Sequence, residues 1–257
     1  MERGDRTDMG SSIEEFPPTH WSEIARVRTD DTERRRRVLD EILSRYWKPI
    51  YVYLRHKGHD HHDAMDLMQG FFEAKVLRRE LIRRADRTKG RFRAFLLKSL
   101  KRYVASVARA KRALKRSPRE GLKSLDDTGM AALYEPSDTA TPDEAFTHAW
   151  ASELLGQVLA EVEKSCRDAG KAIYWEVFRA RTLFPIMENA EPRPLSELCA
   201  KHGISSEARV SNMIVTVKRR FQKVLKRRVR ESVSSDEEVD GEIRDLMQSL
   251  SESSARW

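Results

Sequence analysis

Glycine, proline and cysteine are scarce in this chain, at 11, 9 and 2 of 257 residues. With so few backbone breakers, long stretches are free to run as helix. Alternating β-branched residues are nearly absent, which argues against a fold built on sheets. The two cysteines, Cys166 and Cys199, stand far apart and form no CxxC pair. That excludes a cysteine-ligated zinc site and a disulfide framework, and leaves two ordinary buried thiols. No apolar run approaches the roughly twenty residues needed to span a bilayer. The opening MERGDRTDMGSS has no apolar core of the kind a signal peptide carries. The expected location is the cytoplasm, with no membrane contact.

Charge is what the chain has in quantity. Charged residues make up 35% of it, the formal net charge is +8 and the isoelectric point is near 9.5. Such a balance favours a polyanionic partner. Apolar residues recur at helical spacing almost throughout, so the fold class is all-α. Two small helical domains fit better than one thick core. Residues 1–15 are polar and without period; 16–114 form a first helical domain. Residues 115–142, broken by Pro118, Gly121, Gly129, Pro136 and Pro142, read as a flexible linker. A second domain covers 143–230, and 231–257 is an acidic extension.

The most informative stretch is Leu195 to Arg230. A short helix bearing Leu195, Leu198 and Cys199 is broken by Gly203, where a tight turn needs a left-handed backbone. Ser205 or Ser206 then caps a long helix. Val210, Met213, Ile214, Val217, Phe221 and Val224 form its inner stripe. The opposite face presents Ser211, Asn212, Thr216, Arg219 and Lys223, with Arg209 at the entrance. No acidic residue occurs between Ala208 and Arg230. A helix-turn-helix with this charge pattern is suited to lie in a DNA major groove.

The first half holds a second basic helix from Arg91. Phe92, Phe95, Leu96, Leu100, Val104 and Val107 make its buried stripe, while Arg93, Lys98, Lys101, Arg102, Arg109, Lys111 and Arg112 are expected to project outward. Tyr103 reads as an exposed ring on which a base could stack. His56, His59, His61, His62, Asp63 and Asp66 cluster upstream. Imidazoles with carboxylates could hold zinc or iron, which gives an enzyme-class alternative, a metal-dependent hydrolase. Against it, histidine and aspartate are common at a helix start as caps, and no distant ligand set completes a site. No metal, no cofactor and no enzymatic activity are expected.

The order of parts resembles the extracytoplasmic-function (ECF) class of bacterial RNA polymerase sigma factors. The resemblance covers about Trp21 to Arg230 and rests on HDAMDLMQGFF (His62 to Phe72), GRFRAFLLKSLKRYVASVARAKR (Gly90 to Arg112), WEVF (Trp175 to Phe178) and the helix-turn-helix. It implies a sigma region 2-like first domain, which would bind the clamp helices of core RNA polymerase through Asp63, Asp66, Leu67, Gln69 and Phe72. The turn Ala85 to Arg91 would capture a flipped base, and Lys98, Lys101, Arg102 and Arg109 would line the promoter-melting helix. The region 4-like second domain would dock on the polymerase flap and read upstream promoter DNA through Arg209, Ser211, Asn212 and Thr216. Met65 and Gly70 stand where the family usually has acids, and Arg102 and Ser106 where it has Asn and Asp. The runner-up is a conventional helix-turn-helix regulator that binds DNA without polymerase.

The extension turns acidic at Asp236 to Asp240 and then places Val239, Ile243, Leu246, Met247 and Leu250 on one face. Its charge complements the basic helices, so it is expected to fold back on a basic or clamp-binding surface as an inhibitor. Ser232, Ser234 and Ser235 beside acids are candidate sites for a kinase, and an anti-sigma factor is the other regulatory partner to expect.

Overall fold

The structure, a computed structural model, describes residues 32–77, 91–115, 140–233 and 235–254. All regular structure among them is helical. Helix α1, Thr32–His56, runs unbroken through Pro49. Its buried Ile42, Tyr46, Ile50 and Leu54 return every four residues and form one inward row. Gly58, at φ +87°, turns the chain. Asp60 then caps α2, His61–Phe71, accepting the Asp63 amide at 2.8 Å. A π-helical turn, Phe72–Leu77, follows.

Helix α3 spans Phe92–Lys115 and α4 spans Pro142–Asp168. The start of α4 is fixed reciprocally: the Glu144 amide donates to the Thr141 hydroxyl, and the Thr141 amide donates to the Glu144 carboxylate. Next come α5, Ala172–Phe178, a π-helical turn Arg179–Leu183, and α6, Phe184–Met187. Pro185 sits in the first turn of α6, where its missing N–H costs no hydrogen bond. Helices α7, Leu195–His202, α8, Glu207–Arg230, and α9, Val239–Ser254, complete the chain.

Helix α4 is the central beam. Helix α1 lies along it, α8 and α9 pack on it, and α5 fills the angle between α4 and α8. One apolar core therefore runs through both halves: Tyr46 and Ile50 from α1, Phe146, Trp150 and Leu154 from α4, Val217 and Val224 from α8, Leu246 from α9. Arg45 of α1 also pairs at 2.7 Å with Glu231, just beyond α8. Most of the segment read as a linker, 116–139, lies outside the described residues, as do Trp21, where the resemblance begins, and the turn Ala85 to Gly90.

Two large apolar residues that keep the helical spacing face outward. Trp47 is 46% exposed on α1 and Met247 58% exposed on α9. Cys166 is buried and Cys199 half-buried, both as free thiols.

Candidate nucleic-acid interface

The helix-turn-helix forms as its sequence dictates. Gly203 adopts the left-handed conformation at φ +62°, and the Ile204 amide closes on the Cys199 carbonyl at 3.0 Å. The Ser206 hydroxyl caps α8 by accepting the Arg209 amide at 3.3 Å. Leu198, Val210 and Val217 are buried and lock the two helices together.

This packing turns one side of α8 to solvent. Arg209, Asn212, Arg219 and Lys223 are exposed along it. Thr216 is half-buried, and its hydroxyl donates to the Asn212 carbonyl at 2.7 Å. Ser211 stands apart from the face to which it was assigned, because consecutive residues of a helix are separated by about a quarter turn. It lines an open groove with Arg181, Pro185, Ile186, Val215 and Lys218.

The far end of α8 is neutralised. Glu161 of α4 receives Arg228 at 2.8 Å and also Arg227. Arg230 pairs with Asp236, and Lys226 approaches Asp240 at 3.6 Å. Burial pushes the Glu161 carboxyl up, but hydrogen bonds and charge from the two guanidiniums outweigh it, so the group titrates below its ordinary value. The positive surface of α8 is thus concentrated in its first two thirds.

On α3, Lys98, Arg102 and Arg109 are exposed along one side, opposite the buried Phe92, Leu96 and Leu100. Lys101 belongs to the same row but pairs with Asp143 at the start of α4, and Lys111 reaches Asp63 at 3.3 Å. Tyr103 does not offer its ring to solvent as expected. It packs edge-on against Phe71, with centroids 5.7 Å apart, and its hydroxyl occupies the space a Cβ on Gly70 would need. A small residue at 70 is what lets α2 and α3 come this close.

Of the α2 residues assigned to polymerase, Asp66 and Gln69 are exposed and Asp63 is half-buried. Leu67 and Phe72 are core residues, 7% and 6% exposed, because the inward stripe of α2 includes Leu67 and continues into the π-helical turn at Phe72. The histidine cluster does not converge. His61 hydrogen-bonds Tyr51 at 2.9 Å, His56 the Val52 carbonyl at 3.2 Å, and Asp60 serves as a cap. Among the described residues no three His, Cys, Asp or Glu side chains gather as a metal site, and no helix is long and apolar enough to cross a membrane. Ser232 is buried with its hydroxyl donating to Val229, out of a kinase's reach; Ser234 lies outside the described residues.

Sequence reasoning missed one cluster altogether. Glu242 of α9 is fully buried and takes both Arg91 and Arg93, which stand about 150 residues upstream. The only signal was coarse, an acidic amphipathic segment in a basic protein. Comparisons with protein-family models, curated proteins and solved structures return no match for this chain.

Proposed function

We propose that the chain is a promoter-specificity subunit of bacterial RNA polymerase, a sigma factor of the extracytoplasmic-function type. The observation that carries this reading is the capped helix-turn-helix of α7 and α8, whose outward face bears Arg209, Asn212, Arg219 and Lys223 with no acidic residue among them. Cations hold phosphates and set the register, while the amide of Asn212 is suited to a base edge, adenine above all. The second basic row, Lys98, Arg102 and Arg109 on α3, supports contact with an opened strand. Asp66 and Gln69 on the exposed side of α2 are the groups available to core polymerase. In the free chain α1 and α4 share a core. Reading two promoter elements at once requires that contact to yield on the polymerase.

The test is promoter binding and in-vitro transcription, with and without core polymerase. Specific promoter complexes and transcripts should form only when core polymerase is present. Tight, specific binding by the free chain would overturn the proposal in favour of a conventional helix-turn-helix regulator. Under the proposal, Asn212→Ala alters preference at one base pair by about 1–3 kcal/mol and leaves the others unchanged.

A further inference from the structure

The head of α3 is held by the other end of the chain. Glu242 has no exposed surface, and its two oxygens are both used. Arg91 Nε lies 2.9 Å from one of them. Arg93 donates from Nε to the other at 2.6 Å and from Nη2 to the first at 3.1 Å. The Arg93 guanidinium also lies over the Trp150 ring of α4, 4.8 Å from its centroid. Asp245, one turn beyond Glu242, backs the pair from the solvent side, touching Arg91 and reaching Arg93 at 3.4 Å. Between the two arginines, the Phe92 amide, which no turn of α3 can satisfy, donates to the Ser232 carbonyl at 3.2 Å.

A buried carboxylate shared by two planar guanidiniums admits little play, because every donor must stay in its fork. We infer that Glu242 is a positioning residue for the basic helix α3. Acting through Arg91 and Arg93, it fixes where the row Lys98, Arg102 and Arg109 stands relative to α8. The tail is then part of the binding geometry, which is the reverse of the inhibitory role expected from its charge. The binding arm of the test rests on the nucleic-acid reading proposed above; the exchange arm does not.

The experiment uses the full chain as wild type, Glu242→Gln and Asp245→Asn, the second being the milder change because Asp245 is partly exposed. Amide hydrogen exchange is followed at Phe92 to Phe95 and along α8. Affinities are measured for a short single-stranded oligodeoxynucleotide and for a duplex. In both variants the Phe92 to Phe95 amides should lose more protection than α8, which keeps its protection in the milder Asp245→Asn. Single-strand affinity should fall on the order of tenfold in Glu242→Gln and less in Asp245→Asn, with duplex affinity held within about twofold, as for coupling between distinct sites. Unchanged exchange at Phe92 to Phe95 would overturn the inference. So would loss of protection in α3 and α8 alike in both variants, which marks a merely structural contact, or tighter single-strand binding, which marks an inhibitor. If no form of the chain binds either nucleic acid, the functional reading fails and the exchange pattern alone decides the role of Glu242.

Discussion

The two basic helices α3 and α8 are each 24 residues long, and each is gripped at one end by a carboxylate that takes two arginines. For α8 the carboxylate is Glu161, on the helix against which α8 packs, and it keeps 28% of its side-chain surface in water. For α3 it is Glu242, wholly buried and supplied by the tail. Both grips leave the middle of the helix open and positive. They differ in what a failure would cost, because a carboxylate still touching water can be replaced by solvent and a buried one cannot.

The sharpest way to break the symmetry is to neutralise each carboxylate. Glu242→Gln leaves two partly buried guanidiniums with only the half-exposed Asp245 as counter-charge and should destabilise the chain by about 3 kcal/mol in urea titration. Glu161→Gln should cost less, about 1–2 kcal/mol, since water can solvate Arg227 and Arg228 in its place. A smaller loss for Glu242 than for Glu161 would mean that burial does not set the difference.

Glu161 also carries a pH signature. Its folded pKa lies below its ordinary 4.5. The stability it confers is therefore full above about pH 4.5 and is lost as pH falls through the lower, folded value. His148, whose partial burial lowers its pKa from 6.5, adds a loss in the same direction that begins below about pH 6.5. Thermal unfolding followed from pH 7 to pH 3 should show both losses. Glu161→Gln should flatten the lower part of the curve and leave the upper part unchanged.

Local rules make α8 legible in the sequence. Gly203, Ser206 and the apolar spacing act within a few residues of one another, so the turn, the cap and the inner face follow from sequence alone. The same rules gave the stripe of α3 and the capped start of α2. They failed where a distant partner decides. Nothing within α3 marks Arg93 as half-buried rather than solvent-facing, because its partner lies 149 positions away. Tyr103 reads as exposed until Gly70 of α2 is seen to make room for it. Met247 and Trp47 satisfy the helical period, yet no described residue covers their edge of the stripe. The common core of α1 and α4 was equally illegible, since proline and glycine between 115 and 142 suggest separation and say nothing of what the flanking helices bury.

The open middle of α8 is compared with its neutralised end by removing cations one at a time. Arg219→Ala and Lys223→Ala should each reduce the salt dependence of DNA binding by about 0.9 in the log–log slope, while stability stays within about 0.5 kcal/mol of wild type. Arg228→Ala, which removes a cation already paired with Glu161, should leave that slope unchanged. Equal slopes for all three would show that the pairing with Glu161 does not hold in the complex.

The smallest expected effect separates two neighbours. Ser211 and Asn212 were assigned to one DNA-facing set because both are small, polar and near the start of α8. The fold sends them to different places: Asn212 is exposed beside Arg209 and Arg219, while Ser211 is half-buried in the groove with Pro185, Ile186 and Val215. A hydroxyl turned about a quarter of the helix away from a groove-bound face has no base edge within reach. Ser211→Ala should therefore change duplex affinity by less than about 0.5 kcal/mol and leave base preference untouched, measured on the same set of single-base-pair variants used for Asn212→Ala. A shift in base preference from Ser211→Ala would rotate the contact surface toward Val215 and Lys218 and bring the α6 groove into the interface.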